Sequence, residues 1–108
     1  MKENIVLTEA VYYILLSLNK KNHGYGIIKD TEELSGGRVV LAAGTLYGAL
    51  NVLLKREWIL QMKEEEGSRK KEYIITSLGK ETLNSEIGRL KELYENGLKI
   101  LKEGTNLW

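Results

Sequence analysis

Between Ala10 and Leu18 eight of nine residues are apolar, and only Ser17 breaks the run. Thr8 precedes it as an N-cap and Glu9 sits at the positive end of the helix dipole, so the spacing predicts a helix to about Leu18 or Lys20. A helix that is apolar all round needs cover on more than one side. One face is expected on its own domain and the other on a second subunit. After the turn cluster Asn22-His23-Gly24-Tyr25-Gly26, the residues Ile27, Ile28, Thr31 and Leu34 keep helical spacing until Ser35-Gly36-Gly37 ends the element. Val39-Val40-Leu41 reads as a short edge strand. Leu46, Leu50, Leu53 and Leu54 then fall at i, i+4, i+7 and i+8, one apolar stripe of a helix from about Ala43 to Arg56. Trp58 to Lys63 and Lys71 to Thr76 read as two strands around the turn Glu66-Gly67-Ser68.

Thr76 or Ser77 can cap a final helix reaching about Glu103, although neither has an acidic residue three positions on. In it Leu83, Ile87, Leu90 and Tyr94 alternate steps of four and three, and Leu101 continues the register. Gly97 interrupts this seam, with Leu98 beside it. A helix of that length spans ~40 Å and outruns a small domain. It is expected to meet its copy in a second subunit, with folding back on its own domain as the alternative. The expected dimer interface is Val11, Tyr12, Ile14, Leu15, Leu83, Ile87, Leu90, Tyr94 and Leu101. The fold class is therefore mostly α with a small β-hairpin wing. Residues 1–76 form a winged helix-turn-helix domain, and residues 77–108 a long C-terminal dimerisation helix.

Composition narrows the chemistry. The 108 residues suffice for one domain, or a small domain with an extension. With 43% hydrophobic and 29% charged residues the chain reads as globular rather than disordered. The absence of cysteine removes disulfides, a thiol nucleophile and thiolate zinc sites. The sole histidine, His23, has no second ligand to share a metal and no nucleophile motif around it, so no enzyme activity, cofactor or metal is expected. The longest apolar run, Ala10 to Leu16, falls far short of a membrane span. The N-terminus lacks the pattern of a signal peptide, so a cytoplasmic location is expected.

Stepping 100° per residue from Leu46 places the apolar stripe near ~25° and Gly48 near ~200°, among Thr45, Asn51, Val52 and Lys55. A glycine inside a helix costs about 1 kcal/mol against alanine, so its place on the outward face calls for a reason. Close approach to another surface supplies one, and a DNA major groove admits an α-helix. Thr45 and Asn51 can hydrogen-bond base edges, and Val52 can touch a thymine methyl. Tyr47 lies on the border, its ring able to pack on the domain and its hydroxyl able to reach a phosphate or a neighbouring side chain. A tolerated glycine on a solvated face is the alternative.

His23-Gly24-Tyr25-Gly26-Ile27, Gly44-Thr45-Leu46-Tyr47-Gly48-Ala49-Leu50 and Arg69-Lys70-Lys71-Glu72-Tyr73-Ile74-Ile75-Thr76-Ser77-Leu78-Gly79 together resemble the PadR family of bacterial transcriptional regulators. The similarity covers essentially the whole chain, and its short C-terminal part looks like the compact subgroup with one terminal helix. The resemblance implies a homodimer that binds a palindromic operator on double-stranded DNA, usually as a repressor, and dimerises through its first and last helices. It also implies wing contacts to the DNA backbone by Arg69 with Lys70 or Lys71. A small hydrophobic or aromatic effector would then sit near Tyr12, Tyr13, Leu90 and Tyr94. Two positions depart from the pattern. Gly48 stands where many members carry proline, and Glu57 where a glycine usually joins the helix to the wing.

Charge tempers this expectation. The net charge is only +1. Glu64, Glu65 and Glu66 on the outgoing wing arm oppose Arg69, Lys70 and Lys71 on the return arm. Specific contacts must then carry more of any DNA binding than bulk charge does. The same balance keeps alive a second reading, a winged-helix protein-interaction module that does not read DNA.

Overall fold

The computed structural model describes residues 5–63 and 70–103. Four helices, α1 (Glu9–Ser17), α2 (Gly24–Leu34), α3 (Ala43–Lys55) and α4 (Ser77–Glu103), surround a small sheet of β1 (Asn22–His23), β2 (Ile59–Gln61) and β3 (Glu72–Ile75). The sheet is antiparallel, in the order β1-β3-β2. This is a winged helix with a long terminal helix. Among the described residues no helix is long and apolar enough to cross a membrane.

Local chemistry explains where the helices start and stop. The Thr8 hydroxyl accepts from the Val11 amide at 3.2 Å and caps α1. At the end of α2, Gly37 donates to the Glu32 carbonyl at 2.8 Å and Gly36 to the Glu33 carbonyl at 3.1 Å. Gly36, with φ +63°, occupies the left-handed position this cap requires. Thr76 caps α4 by accepting from the Gly79 amide at 3.1 Å.

The third strand is not where the hydrophobic pattern put it. Val39-Val40-Leu41 is no strand: the Val39 amide donates to the Ser35 hydroxyl at 2.9 Å, Leu41 is buried and Val40 is exposed, so the segment is a connector packed by one side chain. Asn22 and His23 pair with Tyr73 and Glu72 instead. The expected turn cluster 22–26 is thus a short strand followed by the first turn of α2. Gly24 opens that turn, and a Cβ there would lie 2.6 Å from the Tyr47 hydroxyl.

The core gathers Ile14, Leu15 and Leu18 of α1 and its following turn, Ile27 of α2, the α3 stripe Leu46, Leu50 and Leu53, and Trp58, Ile59, Tyr73, Ile75 and Leu83. Ile14 and Leu15, at 1% and 0% exposure, have no area left for a second subunit. Leu83 is likewise interior. These three expected interface residues are core residues, because α2, α3 and the sheet are enough to cover that side of α1 and the root of α4.

Glu57 takes the left-handed conformation, φ +62°. It ends α3 with the amides of Glu57 and Trp58 donating to the Leu54 and Leu53 carbonyls at 3.0 and 3.1 Å. Arg56 covers the Trp58 ring at 5.0 Å. A side chain at positive φ costs roughly 1–2 kcal/mol, part of which glycine would lose again in its freer unfolded chain. Glu57→Gly should therefore stabilise the fold by about 0.5–1 kcal/mol, read as a higher denaturant midpoint at unchanged slope.

Candidate nucleic-acid interface

Burial of Leu46, Leu50 and Leu53 turns the opposite side of α3 outward, and Thr45, Gly48, Asn51 and Lys55 are all exposed there. A Cβ on Gly48 or Gly44 would meet nothing within 4 Å among the described residues. The glycine is therefore not required by packing within the domain. Val52 departs from this group: although exposed, it turns toward the N-terminal segment and lines a shallow groove with Ile5, Val6, Val11, Arg56 and Trp58.

Tyr47 resolves the border position. It keeps 42% of its surface exposed, while its hydroxyl sits over the start of α2, where a Cβ on Gly24 would push it aside. Behind it Tyr73 is buried, and that burial, with a smaller contribution from Tyr47, pushes its phenol above the usual range. Tyr47, His23, Gly24, Tyr25, Lys70 and Lys71 line one cleft of about 470 Å³ between the start of α2, the flank of α3 and the root of the wing. The cleft joins two expected DNA-contacting groups that are more than twenty residues apart in sequence. His23 and Tyr25 belong to it as well, although the sequence reading gave them only a structural role. Their signal was their place beside Gly24, the glycine that admits Tyr47. Arg69 and the triplet Glu64, Glu65 and Glu66 lie outside the described residues.

The family model described as the transcriptional regulator PadR-like family matches residues 13–85. The chain belongs to the PadR-like family of transcriptional regulators. Its fold is shared by a PadR family regulator from Eggerthella lenta, at 22% identity and TM-score 0.66, over 84% of this chain and 76% of that one. A PadR family regulator from Clostridium difficile matches at 24% identity and TM-score 0.59, over 93% and 97% of the two chains. Bordetella bronchiseptica BpsR, solved in a study of how 6-hydroxynicotinic acid regulates its DNA binding, matches at 16% identity and TM-score 0.66, over 85% and 65%. No curated protein sequence matches.

This PadR-like chain has a second surface of note along α4. Ile87, Leu90, Tyr94 and Leu101 of the expected seam are exposed, as are Leu93, Leu98 and Ile100, while Val11 and Tyr12 of α1 are half-buried. Leu93 and Ile100 fall outside the four-three register, so the apolar face is wider than a two-helix seam requires. Of the expected effector residues, Tyr12, Tyr13 and Leu90 share a cleft of about 340 Å³ with Leu7, Glu9, Arg38 and Glu86. The two tyrosine rings meet edge to face at 5.7 Å. Tyr94, one turn further and 67% exposed, is not among the lining residues.

Glu86 escaped the sequence reading. It is 2% exposed, accepts from the Leu7 amide at 2.8 Å and is held by Nε and Nη2 of Arg89 at 2.5 and 2.9 Å. The Arg89 hydrogen bond, assisted by the Leu7 amide and opposed by burial, holds its carboxyl below the usual carboxylate range. A lowered folded-state value means that the stabilisation is present above the unfolded-state value of about 4.3 and is lost as pH falls through the folded one. Glu86→Gln should cost about 2 kcal/mol at pH 7 and flatten the acid limb of stability below about pH 4.3, as measured by denaturant titration across pH.

Proposed function

We propose that this PadR-like regulator is a homodimer that represses transcription by binding a palindromic operator, with α3 in the major groove and the wing on the flanking backbone. Residues 1–76 are the DNA-binding domain and residues 77–108 the dimerisation helix. The observation that carries the reading is the outward face of α3, small at Gly44 and Gly48, hydrogen-bonding at Thr45 and Asn51 and cationic at Lys55, with open space over the glycines. Tyr47, Lys70 and Lys71 around the adjoining cleft suit phosphate contacts, which set register while base edges set sequence. Val52 serves at the edge of this face, within reach of a thymine methyl.

The experiment is titration of the purified protein against a duplex from upstream of its own gene, with a scrambled duplex as control, at two salt concentrations. Salt-sensitive preference for the upstream duplex is the expected result. If it and a random-sequence selection both fail to yield a preferred duplex, the interaction-module reading replaces this one.

Dimerisation rests on the apolar face of α4, which the monomer leaves open. Tyr94→Asp should give monomers in sedimentation without unfolding, since Tyr94 contributes little to the monomer core. A dimer unaffected by that charge would place the interface elsewhere. Between α1 and α4, the cleft at Tyr12, Tyr13 and Leu90 suits a small hydrophobic or aromatic effector that releases the operator. Small-molecule control of DNA binding in the Bordetella relative, which shares the fold, is in keeping with that assignment.

A further inference from the structure

The pairs Asn22–Tyr73 and His23–Glu72 lay β1 along β3, and the same register taken one step past β1 sets Lys71 opposite Gly24. At that step the chain turns from strand into the first residue of α2. Gly24 and Lys71 thus belong to opposite arms of one ladder, and both line the cleft that Tyr47 enters from α3. The separation of the two arms is set by backbone pairing. What the third element adds depends on Gly24.

The Tyr47 hydroxyl lies directly over that glycine. A Cβ on Gly24 would stand 2.6 Å from the phenol oxygen, 3.3 Å from Cζ and 3.8 Å from Leu46 Cδ2. Gly24 is buried and is not one of the left-handed glycines, so its backbone does not call for glycine. Alanine would be the better helix former, and only the hydroxyl stands in its way. Among the described residues that hydroxyl has no hydrogen-bond partner. None of the described residues lining the cleft is acidic, and an unused phenol donor beside an ammonium suits an oxyanion.

We infer that Gly24 is a positioning residue for DNA binding: by carrying no side chain it seats the Tyr47 hydroxyl where it and the Lys71 ammonium share one backbone phosphate of the duplex. The inference rests on the DNA-binding reading above. Ordinary van der Waals contact begins at 3.4 Å, so a methyl at position 24 drives the oxygen off its seat by about 0.8 Å. A stretch of that size leaves little of an O–H···O bond of about 2.7 Å. The phenol is the far end of a side chain and can yield, so the fold should survive the change that the contact does not.

Full-length wild type, Gly24→Ala, Tyr47→Phe and the double variant are titrated against the preferred duplex over a salt series, with thermal melts alongside. Tyr47→Phe should bind about tenfold more weakly, as expected for losing a hydrogen bond to a charged group. A neutral hydroxyl displaces no counterion, so the slope of log K against log salt should stay at the wild-type value. Lys71→Ala, by contrast, should lower it by about 0.9 for each phosphate released. Gly24→Ala should give the same loss as Tyr47→Phe at the same slope, and the double variant should bind no worse than either single one. A purely structural role for Gly24 would instead add its loss to that of Tyr47→Phe.

Additive losses, a lowered slope or wild-type affinity in Gly24→Ala would overturn the inference while leaving the DNA reading intact, and so would wild-type affinity in Tyr47→Phe. A wild type that prefers no duplex overturns both. If the alanine protein does not fold, the double variant takes its place, because it lacks the oxygen that the methyl would strike. Affinity equal to that of Tyr47→Phe then supports the inference, and a further loss or a second failure to fold overturns it.

Discussion

Gly48→Glu should lower operator affinity about 100-fold while leaving the domain at least as stable as wild type. The two readouts diverge because position 48 lies on the outward face of α3, where an added Cβ touches nothing among the described residues. Any other residue is a better helix former than glycine except proline, and Gly48→Ala alone should raise stability by about 1 kcal/mol. With α3 in the major groove as proposed, the glutamate would be an anion facing base edges and phosphates. A 100-fold loss is about 2.7 kcal/mol, modest for a like charge held at an interface. Thermal melting paired with operator titration makes the comparison. If the glutamate variant binds as wild type does, α3 is not the reading element and the interaction-module reading becomes the better one.

The largest effect on stability should come from another glycine. Gly79→Ala places a methyl against the Trp58 carbonyl, and its Cβ would lie 2.7 Å from Ile75 Cγ1. Neither neighbour can yield easily, since Trp58 is held by the Thr76 amide and Ile75 belongs to the core. Relief requires α4 to move off the sheet, opening the Thr76 cap and the packing of Leu83. A loss of about 3 kcal/mol is expected, or a fall in melting temperature on the order of 12 °C. Gly88→Ala is the control in the same helix: its Cβ meets nothing within 4 Å among the described residues, so alanine there should be neutral or stabilising. Equal behaviour of the two variants would show that α4 does not pack against Trp58.

Much of the fold was legible in short stretches. The Leu46-Leu50-Leu53 stripe, the Thr8 cap, a cap at Thr76 or Ser77 and the two apolar wing strands are local signals, each written within a few residues by helical or strand period and cap chemistry. From the same stripe followed the outward group Thr45, Gly48, Asn51 and Lys55, because a helix that buries one side must expose the other. The motifs around His23, Gly44 and Lys71 were also enough to suggest the PadR-like family that the family model then matched.

Other features needed distant partners. Asn22 and His23 are polar and only two residues long, and they become a strand because Glu72 and Tyr73 lie beside them. Val39 to Leu41 has the right residue types and no such neighbour, so the β-propensity there goes unused. Ile14 and Leu15 cannot be told from Val11 and Tyr12 by hydrophobicity; which side of an apolar helix faces inward depends on where α2, α3 and the sheet sit. Glu86 looks like a solvated helix charge until Leu7, 79 residues away, presents an amide to it.

The sequence by itself determined the four helices, the two wing strands, their order and the outward face of α3, since periodicity and capping act through bonds and contacts a few residues long. Only the tertiary structure decided which glycines are pressed and which are open, that Glu57 bends left-handed beneath the Thr76 hydroxyl, and that Tyr47 and the wing lysines share a cleft. Those are set by close approach between segments far apart along the chain, where a few tenths of an ångström in packing decide the outcome.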